Sequence, residues 1–291
     1  MREIDGKTRV CGLIGNPVEH TLSPVIHNTL ARKMGQNLVY VPFLVEGNRV
    51  EDAIKGAYAL NVLGLNVTVP HKSAVLPWVK ETDPLAEKIG AANTLVRCEG
   101  GFKAYNTDMT GLKRAMLSDG IRLEKEKVIL LGAGGAARAV AFLCAHAGVE
   151  KVYLLNRTVE KAQTVADEVN RSFGRECICP MALDEYDRIP GSGYLAIQCT
   201  SVGLYPHVED VVIEDNAFYE KLHSGYDLIY KPWETRFMKL VRRSGGKAYN
   251  GLKMLCYQGI HAYELWNRVT VSDEDADSVL QKMKEAMGID G

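Results

Sequence analysis

Apolar residues along the chain fall into two alternating rhythms. Short, nearly continuous runs of strand length are followed by longer stretches in which apolar positions recur every three or four residues. From the N-terminus, runs at 9–15, 38–45 and 62–69 predict strands, with a polar loop at 16–22. Ser23 as N-cap and Pro24 at the first helical position predict a helix that Gly35 ends. A second helix is expected over 48–60. Pro70 stops the third strand, and His71 and Lys72 are expected to open another helical segment, followed by a helix near 84–89. Runs at 93–98 and 102–105 pair as a hairpin across Gly100-Gly101. A connecting helix over 109–119 leads to strands at 128–131 and 152–155 that flank a small-residue helix at 135–147. Further runs at 194–198, 225–230 and 247–249 complete a second sheet. Two long amphipathic helices, 251–269 and 272–287, close the chain, the last capped by Ser272 or Asp273. The alternation predicts an α/β protein of two domains, each with a largely parallel sheet covered on both faces. The first is expected to span 1–108, joined by helices within 251–291, and the second 109–250.

The stretch 128–162 is the most specific part of the pattern. Gly132-x-Gly134-x-x-Ala137 lies between a buried strand and a helix, as in a dinucleotide-binding βαβ unit of the Rossmann type. Gly132 permits the tight turn, Gly134 lets the backbone approach a pyrophosphate, and Ala137 lets helix and strand pack closely. The free N–H groups at the helix start, around Ala133, Gly135 and Ala136, then face the phosphate charge. An NAD site places Asp or Glu at the end of the second strand. This chain has Asn156, Arg157 and Thr158 there, with Lys161 one helical turn on, so a ribose 2′-phosphate meets donors and cations. A solvated Arg and Lys on an ordinary helix is the plain alternative. The glycine turn upstream favours NADP as cofactor.

Composition narrows the rest. The 291 residues suit two domains of ordinary size. A net charge of −1 gives no electrostatic case for nucleic acid or an anionic membrane. Arg138 and His146 interrupt the longest apolar stretch, so no membrane span is expected. The seven cysteines are odd in number and scattered, and Cys177-x-Cys179 has no matching pair, which argues against a zinc site and for a reducing, cytoplasmic setting. No metal is expected, the partner is a small molecule, and monomer and homodimer both remain open.

Ligands in open α/β sheets bind beyond the carboxyl ends of strands. Several polar residues fall at such ends: Thr21 and Ser23 around the first loop, Thr68, Lys72, Asn93, and the run Asn106, Thr107, Asp108. Each has a plain alternative, since Ser23 serves as an N-cap, Asp108 as the cap of the connecting helix, and Lys72 as a surface cation. Their clustering beside a nucleotide domain points to a site.

These residues belong to stretches that resemble the shikimate dehydrogenase family: GNPVEHTLSPVIHN (15–28), NVTVPHK (66–72), GAANTL (90–95), AYNTDMTGL (104–112), GAGGAAR (132–138), NRTVEKA (156–162), CTSVGLYP (199–206), YDLIYKPWET (226–235) and NGLKMLCYQGIHAYELW (250–266). They span nearly the whole chain in family order. The resemblance implies a substrate domain and an NADP domain separated by a cleft. It also implies reversible NADP-dependent reduction of 3-dehydroshikimate to shikimate. By position, Lys72 and Asp108 match the family's catalytic pair, and Asn93, Thr68 and Gln258 match substrate contacts. Tyr230 matches a tyrosine near the bound ring, and Thr21 and Ser23 match the hydroxyls that hold the substrate carboxylate. Thr200 and Gly251 match cofactor contacts. The family usually has serine at the position of Thr21; Cys199, Met109 and Lys253 are further departures.

The chemistry agrees with the residue types. Hydride transfer to a ring ketone builds negative charge on oxygen, which an adjacent cation or acid stabilises and protonates. Lys72 suits that task and Asp108 favours its charged form. The sequence leaves open which of the pair is the formal acid–base. Two other functions stay in view: a dual quinate/shikimate dehydrogenase, and a non-catalytic NADP-sensing protein of the same fold.

Overall fold

The computed structural model of the chain describes residues 4–289. It divides into two compact units, one formed by the chain up to Ala115 together with the part from Lys253 onward, the other by Met116–Leu252.

In the first unit the order is β1 (Arg9–Gly15), α1 (Ser23–Lys33), β2 (Leu38–Leu44), α2 (Val50–Ala59), β3 (Gly64–Val67), β4 (Glu81–Thr82), α3 (Pro84–Ile89), β5 (Thr94–Cys98), β6 (Gly101–Tyr105) and α4 (Asp108–Ser118). The six strands form one sheet in the order β2-β1-β3-β5-β6-β4. Pairing is parallel at β2–β1, β1–β3 and β4–β6, and antiparallel at β3–β5 and β5–β6. The apolar runs of β1 and β3 are buried almost throughout, as strands covered on both faces must be. Because β5 runs against β3 and β6 runs back again, the end of β3, the start of β5 and the end of β6 share one edge of the sheet.

The second unit contains β7 (Lys127–Leu131), α5 (Gly135–Ala147), β8 (Lys151–Asn156), α6 (Val159–Phe173), β9 (Ile178–Ala182), β10 (Tyr194–Gln198), α7 (Asn216–Tyr219), β11 (Leu222–Asp227), α8 (Arg236–Arg243) and β12 (Lys247–Tyr249). All neighbours are parallel in the order β12-β11-β10-β7-β8-β9. This is a doubly wound sheet of two mononucleotide halves, β7–β9 and β10–β12, that reverse between β7 and β10.

Two helices, α9 (Leu252–Asn267) and α10 (Asp273–Ala286), end the described chain. The Trp266 indole donates to the Leu95 carbonyl at 2.9 Å and the Tyr263 hydroxyl to Gln36 at 3.0 Å, which fastens α9 to the first unit. Ser272 caps α10 by accepting from the Asp275 N–H at 3.1 Å. No helix among the described residues is long and apolar enough to cross a membrane.

Several elements differ from expectation for local reasons. Ser23 is the first residue of α1 rather than its cap. The cap position is Leu22 and lacks a side-chain bond, while Thr21 accepts from the Ser23 N–H at 3.2 Å and so takes up one orphan donor. The segment from His71 is a series of turns with a single 3₁₀ turn at Leu76–Trp78. The Lys72 carbonyl accepts from the Ala92 N–H at 2.8 Å, so it is taken out of any helical ladder. The helix expected over 48–60 begins as a 3₁₀ turn, Gly47–Arg49, before α2. Strand β11 lies earlier than the apolar run 225–230 suggested, because the Asp227 carboxylate accepts from the Ile229 N–H at 2.9 Å and turns the chain there. Strand β9, with Pro180 inside it, was not expected; it survives as an edge strand, where a missing N–H is tolerated.

Candidate active site

At the shared edge of the first sheet, the Lys72 ammonium donates to Asp108 Oδ2 at 2.6 Å, and Asn93 Nδ2 donates to Asp108 Oδ1 at 2.8 Å. Both carboxylate oxygens are thus engaged by N–H donors. The Lys72 and Asp108 side chains remain 32% and 19% exposed, so the pair is open to a ligand. The other Asn93 donor points to Gln258 Oε1 at a longer 3.4 Å, while Gln258 Nε2 donates back to the Leu255 carbonyl at 2.8 Å. Gln258 reaches the site because α9 is bonded to α4. Thr110 Oγ1 meets His261 Nδ1 at 2.5 Å, and Arg114 pairs with Glu264 at 2.9 Å.

The orientation of Asn93 is fixed from behind. Its Oδ1 accepts from the Thr107 N–H at 2.7 Å, an unambiguous donor, and from the Thr107 and Thr94 hydroxyls at 3.1 and 3.2 Å. The amide N–H groups must therefore face Asp108. Below lies Asn66, only 4% exposed, with all its capacity used. It donates to the Asn93 carbonyl at 3.2 Å and to Thr94 Oγ1 at 3.1 Å, and accepts from the Tyr40 hydroxyl at 2.8 Å and from His27 Nε2 at 3.1 Å. That geometry requires His27 to carry its proton on Nε2. Burial agrees, since it pushes the imidazole pKa down to about 3 and keeps the ring neutral.

A pH effect follows from His27. Its pKa is lowered on folding, so the unfolded chain binds the proton more tightly between pH 6.5 and about 3. The stability it contributes is full above 6.5 and declines as pH falls, by about 1.4 kcal/mol per unit. NMR titration should find the His27 ring still neutral at pH 5. A His27 midpoint near 6.5 would contradict this.

Of the other expected substrate contacts, Thr21 donates to Ser23 Oγ at 3.1 Å, so these two hydroxyls are brought together. Thr68 lies just past β3, half-buried, with its hydroxyl unengaged among the described residues. Tyr230 follows β11 in the second unit, and burial raises the pKa of its phenol.

At the switch point of the second sheet, Gly132 has φ +105° in the turn after β7, a conformation that favours glycine. A Cβ there would also lie 2.8 Å from the Thr200 methyl, so the glycine turn and the loop after β10 are in contact. Space above Gly134 and Gly135 is open, both are exposed with Ala136, and Ala137 is fully buried against the sheet. This cradle suits a pyrophosphate at the start of α5. At the end of β8, Asn156 Nδ2 donates to the Thr158 carbonyl at 2.8 Å. The side chains of Arg157, Thr158 and Lys161 are exposed, and none has a partner among the described residues. Two cations and a hydroxyl beside a helix N-terminus match a 2′-phosphate, and β8 ends on Asn156 rather than on a carboxylate for an unmodified ribose. Among the described residues, no group of three His, Cys, Asp or Glu could hold a metal.

Sequence reasoning overlooked Asn66, Tyr40, His27 and Thr94 beneath the site, and Gln198 and Asp227 in the second unit. The available signal was polarity inside apolar strands: Asn66 in Gly64–Val67, Gln198 ending Tyr194–Gln198 and Asp227 ending Leu222–Asp227. A fully buried polar residue must be bonded, and what it bonds is what it organises.

Comparison with known proteins finds relatives along nearly the whole chain. Residues 13–95 match the family model for the shikimate dehydrogenase substrate binding domain, and residues 114–188 that for shikimate / quinate 5-dehydrogenase. The shikimate dehydrogenase (NADP(+)) of Desulforamulus reducens is 40% identical over 282 residues, 96% of this chain and 97% of that protein. A crystal structure of a shikimate dehydrogenase in complex with NADP+ superposes with a TM-score of 0.86 at 36% identity, covering 96% of each chain. The Listeria monocytogenes shikimate 5-dehydrogenase, in complex with shikimate and NAD, gives 0.87 at 28% identity over 99% of each chain.

Proposed function

The chain belongs to the shikimate dehydrogenase family, and on that premise we propose how its residues perform the family's reaction. It is an NADP-dependent oxidoreductase of the shikimate pathway that interconverts 3-dehydroshikimate and shikimate. NADPH, when bound, supplies the hydride. Lys72 supplies the positive charge and the proton at the ketone oxygen: one of its three N–H donors holds Asp108 and the others are free for substrate. Asp108 aims the ammonium, and is itself held in place by the N–H bond from Asn93. Asn93 and Gln258 hold ring hydroxyls, with the long 3.4 Å bond between them the one a substrate hydroxyl replaces. Thr21 and Ser23 grip the carboxylate, and Thr68 and Tyr230 complete the substrate contacts. Gly132, Ala133, Gly134, Gly135 and Ala136 receive the pyrophosphate. Asn156, Arg157, Thr158 and Lys161 take the 2′-phosphate, and Thr200 and Gly251 face the rest of the cofactor.

The observation that carries this reading is the 2.6 Å contact between Lys72 and one oxygen of a carboxylate whose other oxygen accepts from Asn93. It makes Lys72 the group with protons to give. Seven free cysteines support a reducing compartment, and we place the enzyme in the cytoplasm. The family model's description names quinate as well as shikimate, so use of both is the second reading. The test is absorbance at the reduced-nicotinamide band with NADPH or NADH and 3-dehydroshikimate, and with the oxidised cofactors and shikimate or quinate. Rapid NADPH oxidation by 3-dehydroshikimate is expected, with NADH poorer. Turnover of quinate comparable to shikimate would establish the second reading, and no turnover of either would overturn both.

A further inference from the structure

The second unit buries one carboxylate that the mechanism above does not use. Asp227 ends β11 and is 0% exposed. Its partners are all neutral: the Thr235 hydroxyl at 2.6 Å, the Ile229 N–H at 2.9 Å and, more distantly, Gln198 Nε2 at 3.5 Å. Burial raises its pKa to about 6, the mark of a charge that the fold accommodates at a cost. A buried ion without a counter-ion is poor economy for stability alone, whereas a fully bonded one fixes a single local geometry.

What it fixes is the rim of the second mononucleotide half. Gln198 pairs in register with Asp227 on the neighbouring strand and is 1% exposed. Its Oε1 accepts from the Thr200 N–H at 2.5 Å and its Nε2 donates to the Val202 carbonyl at 3.1 Å, which shapes the turn that carries Thr200. On the other side, the turn held by Asp227 presents the Ile229 carbonyl to the Gly251 N–H at 2.9 Å. It also brings the Leu228 carbonyl so near that a Cβ on Gly251 would lie 2.1 Å from it. Thr235, 1% exposed, accepts from the Met238 N–H at 3.3 Å and so caps α8 from the same carboxylate.

We infer that Asp227 is a positioning residue for cofactor binding: through Gln198 it sets the Thr200 turn, and through Ile229 it sets Tyr230 and Gly251. The inference rests on the reading of this unit as the NADP site. The glycine turn and Arg157 belong to the half formed by β7–β9, which takes the adenosine side. Asp227 serves the half formed by β10–β12, which takes the nicotinamide side.

That division supplies the test. Full-length protein is titrated with NADPH and, separately, with 2′,5′-ADP, which carries only the adenosine side. Asp227→Ala and Gln198→Met are each expected to weaken NADPH by about tenfold, the equivalent of one well-made buried hydrogen bond, and to leave 2′,5′-ADP unchanged. Asp227→Asn, which keeps the acceptor for Ile229, should recover most of the NADPH affinity. Unchanged NADPH affinity in Asp227→Ala and Gln198→Met overturns the inference, and so does an equal loss for both probes, which a loosened fold would give. If Asp227→Ala does not fold, Gln198→Met decides the matter alone. Arg157→Ala is the control: if it weakens neither probe, the nucleotide reading itself fails and takes the inference with it.

Discussion

Replacing Lys72 with alanine is expected to lower kcat for 3-dehydroshikimate reduction by about 10²–10⁴-fold, the range that a positioned general acid contributes. The loss combines two effects. The ketone oxygen no longer meets a cation as charge develops on it, and no group remains with a proton to deliver. NADPH affinity should survive, because the glycine turn and Arg157 belong to the other compact unit. The fold should survive as well. Asp108 keeps its bond from Asn93 at 2.8 Å, and its side chain is 19% exposed, so water can satisfy the oxygen that Lys72 vacates. Steady-state rates, with NADPH binding measured alongside, decide it: full activity in a folded Lys72→Ala enzyme removes this residue from the chemistry.

The second large effect is expected at Arg157. Its guanidinium is exposed and unpaired among the described residues, beside the N-terminus of α6. A fork of that kind held on a phosphate contributes about 1.5–3 kcal/mol. Arg157→Ala should therefore raise KM for NADPH by roughly 10- to 100-fold and alter KM for NADH little, because the 2′-hydroxyl offers no charge to lose. Equal changes for both cofactors would show that the residue does not touch the 2′-phosphate. The contrast with Lys72 is useful, since one substitution acts on kcat and the other on KM.

Much of the site could be read from residue order because sheets collect strand ends. Lys72, Asn93 and Asp108 are distant in sequence, yet each follows or precedes a strand of one sheet, and the reversal of β5 against β3 and β6 brings them to a common edge. The glycine turn was legible for a similar reason, lying between an apolar run and a small-residue helix where few conformations are available. The less legible parts depend on long-range bonds. Lys72 lies in a turn rather than a helix because Ala92 claims its carbonyl, and no local pattern announces that bond. Ser23 was expected to cap α1 when Thr21, two residues earlier, supplies the acceptor. Asn66 and Asp227 look like interruptions in apolar strands until their partners are known; both prove to be the points from which neighbouring loops are hung.

The first unit is made from two separated lengths of chain, with the whole second unit emerging between them. During translation, the early length waits with the Leu95 carbonyl and the His27–Tyr40 stack lacking their cover, since Trp266 and Tyr263 are among the late arrivals. The nucleotide unit depends on no such delay and is contiguous, so it can fold on the ribosome as soon as it is released. A nascent chain stalled before α9 would thus carry a finished second unit together with a first unit whose apolar face is still open, the kind of intermediate that chaperones hold. The unit that begins first is the one completed last.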